Sequence, residues 1–216
     1  MSLFHIYNID LYLLHLEPLY CFNQGVIPFD CYFLDKHIYV YYNKKIGGIC
    51  MIGIILLLVG AVLLHNGVCI LIEADGKASS TVNIMGGLLI GILYMVYIFR
   101  TGDFLLGGVG LLFAVTYVYI GINGIFDLDV RPFGWFCLFV TLAIIPEGIL
   151  TFVRGEAVMT TYYLTGMWAL WGILWFALFV EDALSKHLGK LVPCLCLFTA
   201  FSTGLVPGFL MMTGCW

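Results

Sequence analysis

MIGIILLLVGAVLLHNGVCILI, residues Met51–Ile72, contains no charged side chain. A run of about 20 apolar residues crosses the hydrocarbon core of a bilayer as one helix. Reading outward from this stretch, runs of the same kind recur to the C terminus. They fall at Ile52–Ile72, Thr81–Phe99, Phe104–Phe126, Phe133–Val153, Tyr162–Leu184 and Leu191–Met212. Short polar segments separate them. The expected fold class is an all-α membrane protein, a compact bundle of six transmembrane helices with very little protein outside it.

Composition agrees. Apolar residues make up 62% of the chain and charged residues 10%, with a mean hydropathy of +1.06. Soluble domains carry about 25% charge, so these charges are too few to coat a soluble surface. The inter-helix links are too short for a second domain. No basic patch could track nucleic acid, which excludes that partner. The eight cysteines form no CxxC pair. Most lie inside apolar runs, where cysteine acts as a small hydrophobe rather than as a metal ligand or disulfide partner.

Residues 1–50 read differently. They are rich in Tyr, Phe and His, carry scattered charges and show no period. They lack the apolar core and small-residue cleavage site of a signal peptide. Gly47-Gly48, two codons ahead of Met51, could be encoded by a purine-rich ribosome-binding site. The domain reading is therefore an N-terminal extension at 1–50, from upstream translation or a disordered tail, and a six-helix transmembrane domain at 51–216.

Basic residues favour cytoplasmic loops. The links after helices one, three and five hold Lys77, Arg131, Lys186 and Lys190; those after two and four hold Arg100 and Arg154. With Met51 as the start, this places both termini outside. Helices one and three both end through Asn-Gly, at Asn66-Gly67 and Asn123-Gly124. Helices one, three and five all run through acidic residues into a basic one. This points to a helical hairpin repeated three times. GxxxG pairs at Gly87/Gly91 and Gly204/Gly208 predict close helix approach. Pro146, Pro193 and Pro207 predict helix starts or kinks.

Helix five carries Trp168, Trp171 and Trp175 at i, i+3 and i+7, which aligns three indoles on one face. Helix three adds Phe113 and Tyr117 at i and i+4. Packed inward, these rings would form a narrow slot suited to a small, flat, neutral solute. Facing outward, they would be ordinary lipid-contacting aromatics. Both readings stand on spacing alone. Polar groups at membrane depth are costly and often functional. His65, Asn66 and Asn123 lie near helix ends, where they can pair between helices or reach interfacial water. Glu147 is deeper and must be protonated, paired or facing water. Glu181 and Asp182 lie at a helix end, solvated or paired with Lys186. No HExxH, GxSxG or P-loop occurs, so no enzyme class is supported. Neither an Arg-rich voltage sensor nor a TVGYG-type filter is present.

Several strings together carry a resemblance: VGAVLLHNGVC in helix one, VNIMGG in helix two, LLFAVTYVYIGINGIFDLDVRPFGWFCLFV through helices three and four, and WALWGILWFALFVEDALSKHLGKLVP through five and six. From Met51 onward the chain resembles the AmiS/UreI family of urea and short-chain amide channels. That resemblance implies three hairpins around a pore in each protomer, in a bacterial cytoplasmic membrane. It implies a homo-hexamer around a plug of membrane lipid. It places aromatic and apolar pore constrictions on Phe113, Tyr117, Trp168, Trp171, Leu174, Trp175, Val59 and Leu63. A carboxylate that the resemblance expects in helix six falls on Thr199, while Glu147 stands in helix four where a small residue is expected. Glu147 is thus the candidate replacement. Acid-gated members carry a long His-rich external loop between helices two and three; here that link is about RTGDFLLGG, and the next outer link is RGEAVMTT. Neither contains His, the side chain that titrates near pH 6.5.

The functional expectation is passive flow of urea or an aliphatic amide, with no cofactor and no acid gate. Asn66, Asn123 and the Tyr117 hydroxyl would exchange hydrogen bonds with the solute. A cytosolic urease or amidase would consume it. Two other readings are a non-conducting membrane scaffold for such an enzyme and a proton-coupled amide transporter using Glu147.

Overall fold

Asp75 and Asp103 show why the chain turns where it does. In the computed structural model, which describes residues 35–155 and 158–216 with side chains from Gly47, each of these aspartates caps a helix. Asp75 accepts from the backbone N–H groups of Lys77 at 2.8 Å and Ala78 at 3.0 Å. Asp103 accepts from the Leu106 N–H at 3.1 Å. Such caps satisfy donors that a helix start leaves free. The preceding Gly102 adopts φ 75°, the left-handed conformation that closes a helix C terminus. Two residues, Gly102 and Asp103, are therefore enough to reverse the chain.

The helices are α1 (Asp35–Leu71), α2 (Gly76–Thr101), α3 (Phe104–Phe126), α4 (Arg131–Arg154), α5 (Met159–Leu178), α6 (Leu191–Thr199) and α7 (Val206–Thr213). A π-helical stretch, Phe179–Ala183, extends α5, and another, Ala200–Leu205, joins α6 to α7. Six spans are long and apolar enough to cross a membrane: Gly47–Leu71, Gly76–Thr101, Phe104–Phe126, Arg131–Arg154, Met159–Ala183 and Leu191–Thr213. No strand occurs among the described residues. This is the expected fold class. Residues Tyr41–Trp216 form one compact unit by themselves. Most of the extension expected at 1–50 lies outside the described residues. Its described part is helical from Asp35, so α1 begins ahead of Ile52.

The three expected proline effects differ. Pro193 stands in the first turn of α6, where a missing N–H is harmless. Pro146 is carried inside α4 without interrupting it. Pro207 follows the second π stretch. Lacking an N–H, it cannot donate to the Thr203 carbonyl four residues earlier, and the helix widens just before it.

Spans pack in the cyclic order one to six. The sixth returns to the first through backbone contact at Gly60 and Gly204. A Cβ on Gly60 would lie 3.0 Å from both Gly204 Cα and the Ala200 carbonyl, too close for any side chain. Gly87 meets α3 likewise, its Cβ position being 2.9 Å from the Ala114 carbonyl. Gly91 makes only ordinary contact with the same alanine. Gly67 faces Leu197 and Pro193 of α6, and Gly124 faces Ser80 of α2. Each Asn-Gly pair thus seats its glycine against an even-numbered span.

Val59, Phe113, Tyr117 and Trp175, from the first, third and fifth spans, are among the most deeply buried side chains. The second and fourth turn large apolar residues outward, among them Met85, Leu88, Phe139 and Ile149. Only lipid or another apolar surface can cover such faces.

Candidate solute pathway

Two cavities enter the bundle from opposite ends. The first, about 620 Å³, lies where α1, α3 and α5 finish; Asn66, Asn83, Tyr117, Asn123, Leu174 and Trp175 are among the residues lining it. The second, about 660 Å³, lies at the other end; Tyr97, Asp103, Glu147, Thr151, Trp168 and Trp171 are among its residues. We call them the asparagine vestibule and the glutamate vestibule.

Phe113 stands between them and lines neither. Its ring stacks on Trp175 with centroids 4.6 Å apart and planes 19° from parallel. It meets Trp171 edge-on at 5.0 Å and Trp168 at 6.3 Å. Trp168 and Trp171 are themselves perpendicular, 5.1 Å apart. All four rings are buried. The indole row therefore faces inward. Carbon atoms in contact sit about 3.5–4.0 Å apart, so a planar solute needs roughly twice that between two ring faces. The slot expected between ring faces is shut in this conformation: Phe113 and Trp175 would have to part to admit anything between them. Val59, only 1% exposed, also lines neither cavity; Leu63 lines the asparagine vestibule.

Polar groups flank this septum. The Tyr117 hydroxyl, Trp175 Nε1 and both amide atoms of Asn123 are buried without a hydrogen-bond partner among the described residues. Buried polar atoms without partners are rare in folded proteins. All three of these side chains line the asparagine vestibule. The expected role of Asn66 has a second member. Asn66 Nδ2 donates to Asn83 Oδ1 at 2.9 Å, and Asn83 Nδ2 returns a bond to Asn66 Oδ1 at 2.7 Å. This reciprocal amide pair ties α1 to α2 at the cavity wall. Asn83 escaped the sequence reading, although a lone Asn inside an apolar run was its signal.

Glu147 lines the glutamate vestibule, and its Oε2 has no partner among the described residues. Nearby, the Tyr97 hydroxyl donates to Asp103 Oδ2 at 3.2 Å; neither residue was singled out by sequence. Thr199 is fully buried, lines neither cavity, and its hydroxyl is unpartnered among the described residues. Glu147 and Thr199 therefore do not share a surface. His65 lies between helices, with Nε2 3.2 Å from Ser79 Oγ. Glu181 pairs with His187 at 3.4 Å rather than with Lys186. The helix ends in a turn there, with Ser185 at φ 53°.

The AmiS/UreI family transporter model matches residues 51–215. The chain belongs to the AmiS/UreI family. The acid-activated urea channel of Helicobacter pylori is 32% identical over 196 aligned positions, which cover 77% of this chain and all of that protein. A putative amidate substrates transporter protein of Mycolicibacterium smegmatis is 32% identical, covering 76% of this chain and 78% of that one. The crystal structure of the urea channel from the human gastric pathogen Helicobacter pylori superposes with a TM-score of 0.69 at 33% identity, covering 76% of this chain and 98% of that one. Six apolar spans and transporter relatives together make this chain a multi-pass membrane protein.

Proposed function

We propose that this chain is a passive channel for urea or short-chain amides, and not an enzyme. The observation that carries the reading is the aromatic septum at Phe113, flanked by two vestibules that hold unpartnered hydrogen-bonding groups. Urea and small amides are flat, neutral and rich in hydrogen-bonding edges. Rings can cover their faces, while Asn123, Tyr117 and Trp175 take the edges. A hydrated ion finds no replacement for its water shell among stacked rings. The relatives' printed functions, a urea channel and an amidate transporter, support the same solute class.

The membrane is a bacterial cytoplasmic one, with termini outside and the asparagine vestibule facing the cytosol. The excess of basic residues at that end supports this orientation. The outward apolar faces of α2 and α4 suit lipid and neighbouring protomers of a homo-hexamer. A cytosolic urease or amidase consumes the solute. Flow is not acid-gated, since the two outer links contain no histidine. Met51 is the native start, as the match to the family from residue 51 supports; intact mass of the native protein decides it, and a mass including residues 1–50 ends the idea.

Radiolabelled acetamide uptake into proteoliposomes under an imposed pH gradient tests the function. A channel equilibrates the solute without accumulating it. Accumulation above the external concentration contradicts this reading in favour of proton coupling through Glu147. No uptake by folded protein favours a scaffold.

A further inference from the structure

Of the three indoles in the row, Trp171 alone has its N–H bonded to another side chain among the described residues. Its Nε1 donates to Thr203 Oγ1 at 2.8 Å, a fully interior bond between α5 and the widened stretch of the sixth span. Trp175 Nε1 has no partner among the described residues. The Thr203 hydroxyl spends its own proton on the Thr199 carbonyl at 2.8 Å, which leaves its lone pairs to accept from the indole. One hydroxyl so used has a fixed orientation, and chained bonds strengthen one another.

The backbone favours the same residue. Thr203 is 1% exposed and sits inside the π-helical stretch Ala200–Leu205. Pro207, four residues on, has no N–H to offer the Thr203 carbonyl. Single π turns inside α-helices recur at functional positions. Here the turn carries the hydroxyl that meets the indole.

Trp171 is the ring that touches the others edge-on: Phe113 at 5.0 Å and Trp168 at 5.1 Å. Its rotamer sets how far Phe113 can swing when the septum opens. We infer that Thr203 is a positioning residue that latches Trp171, and that this latch sets the size limit of the slot for amide solutes. The inference rests on the channel reading. With the latch in place Trp171 is a fixed wall, and only solutes the size of urea or acetamide pass freely. Without it the ring samples other rotamers and the slot admits bulkier amides.

The test compares the full chain with Thr203→Val, which keeps the shape and removes the hydroxyl, and with Thr203→Ser, which keeps the hydroxyl. Propionamide and urea permeabilities are measured in proteoliposomes. In parallel, the protein carrying 5-fluorotryptophan is examined by fluorine NMR, with the Trp171 resonance assigned by its loss in Trp171→Phe. Thr203→Val should raise the propionamide-to-urea ratio about fivefold, the population change expected from one buried hydrogen bond. It should also shift or broaden the Trp171 resonance. Thr203→Ser should restore both. An unmoved Trp171 resonance in Thr203→Val overturns the latch. A moved resonance with an unchanged ratio overturns its role in selectivity. Equal loss in Thr203→Ser and Thr203→Val reduces Thr203 to a packing residue. Absence of wild-type flux overturns the channel reading and the selectivity role with it, while the NMR comparison still decides whether the bond holds the ring.

Discussion

Phe113 lies in the septum between the vestibules, and its replacement should say where the barrier lies. Phe113→Ala would empty a buried ring and destabilise the bundle by about 3–5 kcal/mol, so Phe113→Leu is the better probe. It should raise urea flux several-fold in stopped-flow measurements; unchanged flux would place the barrier elsewhere. Glu147→Gln should slow urea flux about tenfold, the loss of one charge-assisted hydrogen bond, with the bundle still folded by circular dichroism. Unchanged flux, or loss of assembly, counts against a pore role for this carboxylate. Asn83→Leu leaves the half-buried Asn66 without its partner and should lower stability by about 1 kcal/mol, whereas the double replacement should recover most of it; thermal melts in detergent would show this. These residues were unevenly legible in the sequence. The indole row announced itself because i, i+3, i+7 spacing fixes a common face. Which way that face points depends on neighbouring helices, and the spacing could not say. Asn83 and Thr203 were obscure for a related reason. Their partners, Asn66 and Trp171, come from other spans, and no local pattern encodes a contact between separate helices.

At the scale of elements, the six spans were readable because apolar run length is a local quantity that a bilayer converts directly into a helix. Their turns follow from local chemistry too, as at Gly102-Asp103. The π stretch before Pro207 was only half visible: proline announces a lost hydrogen bond, but how the helix absorbs it depends on packing. Backbone contact between Gly60 and Gly204 makes a sharp prediction. Gly204→Val forces side-chain volume against backbone, which cannot move aside. It should destabilise the bundle by about 3 kcal/mol, the upper end for overpacking, and unfold it in detergent at a lower temperature. The helix caps bear on acid response. Backbone bonds from Ala78 and Lys77 hold the Asp75 carboxyl below its ordinary 3.8, and the Arg131 side chain does the same for Asp129. A carboxylate with a lowered folded value stabilises fully above its unfolded value and loses that contribution as pH falls through the folded one. The Asp75 cap and the Asp129–Arg131 pair therefore stay intact between pH 7.5 and 5 and fail only below about pH 4.

For the whole molecule, the arrangement is two vestibules with polar linings and one aromatic septum, enclosed by helices that turn their apolar faces outward. The outward faces of α2 and α4 exceed what a single soluble subunit leaves bare, and native mass spectrometry from lipid nanodiscs should find six copies. A monomer there would leave lipid alone to cover them. The central claim is the pore itself. It is tested most directly by stopped-flow permeability of proteoliposomes holding the full chain, with urea and acetamide, at pH 7.5 and pH 5. The account predicts fast flux of both solutes at both pH values, changing less than about twofold on acidification because no outer-link histidine titrates in that window. Flux no faster than through empty liposomes, from protein shown to be folded, would contradict it.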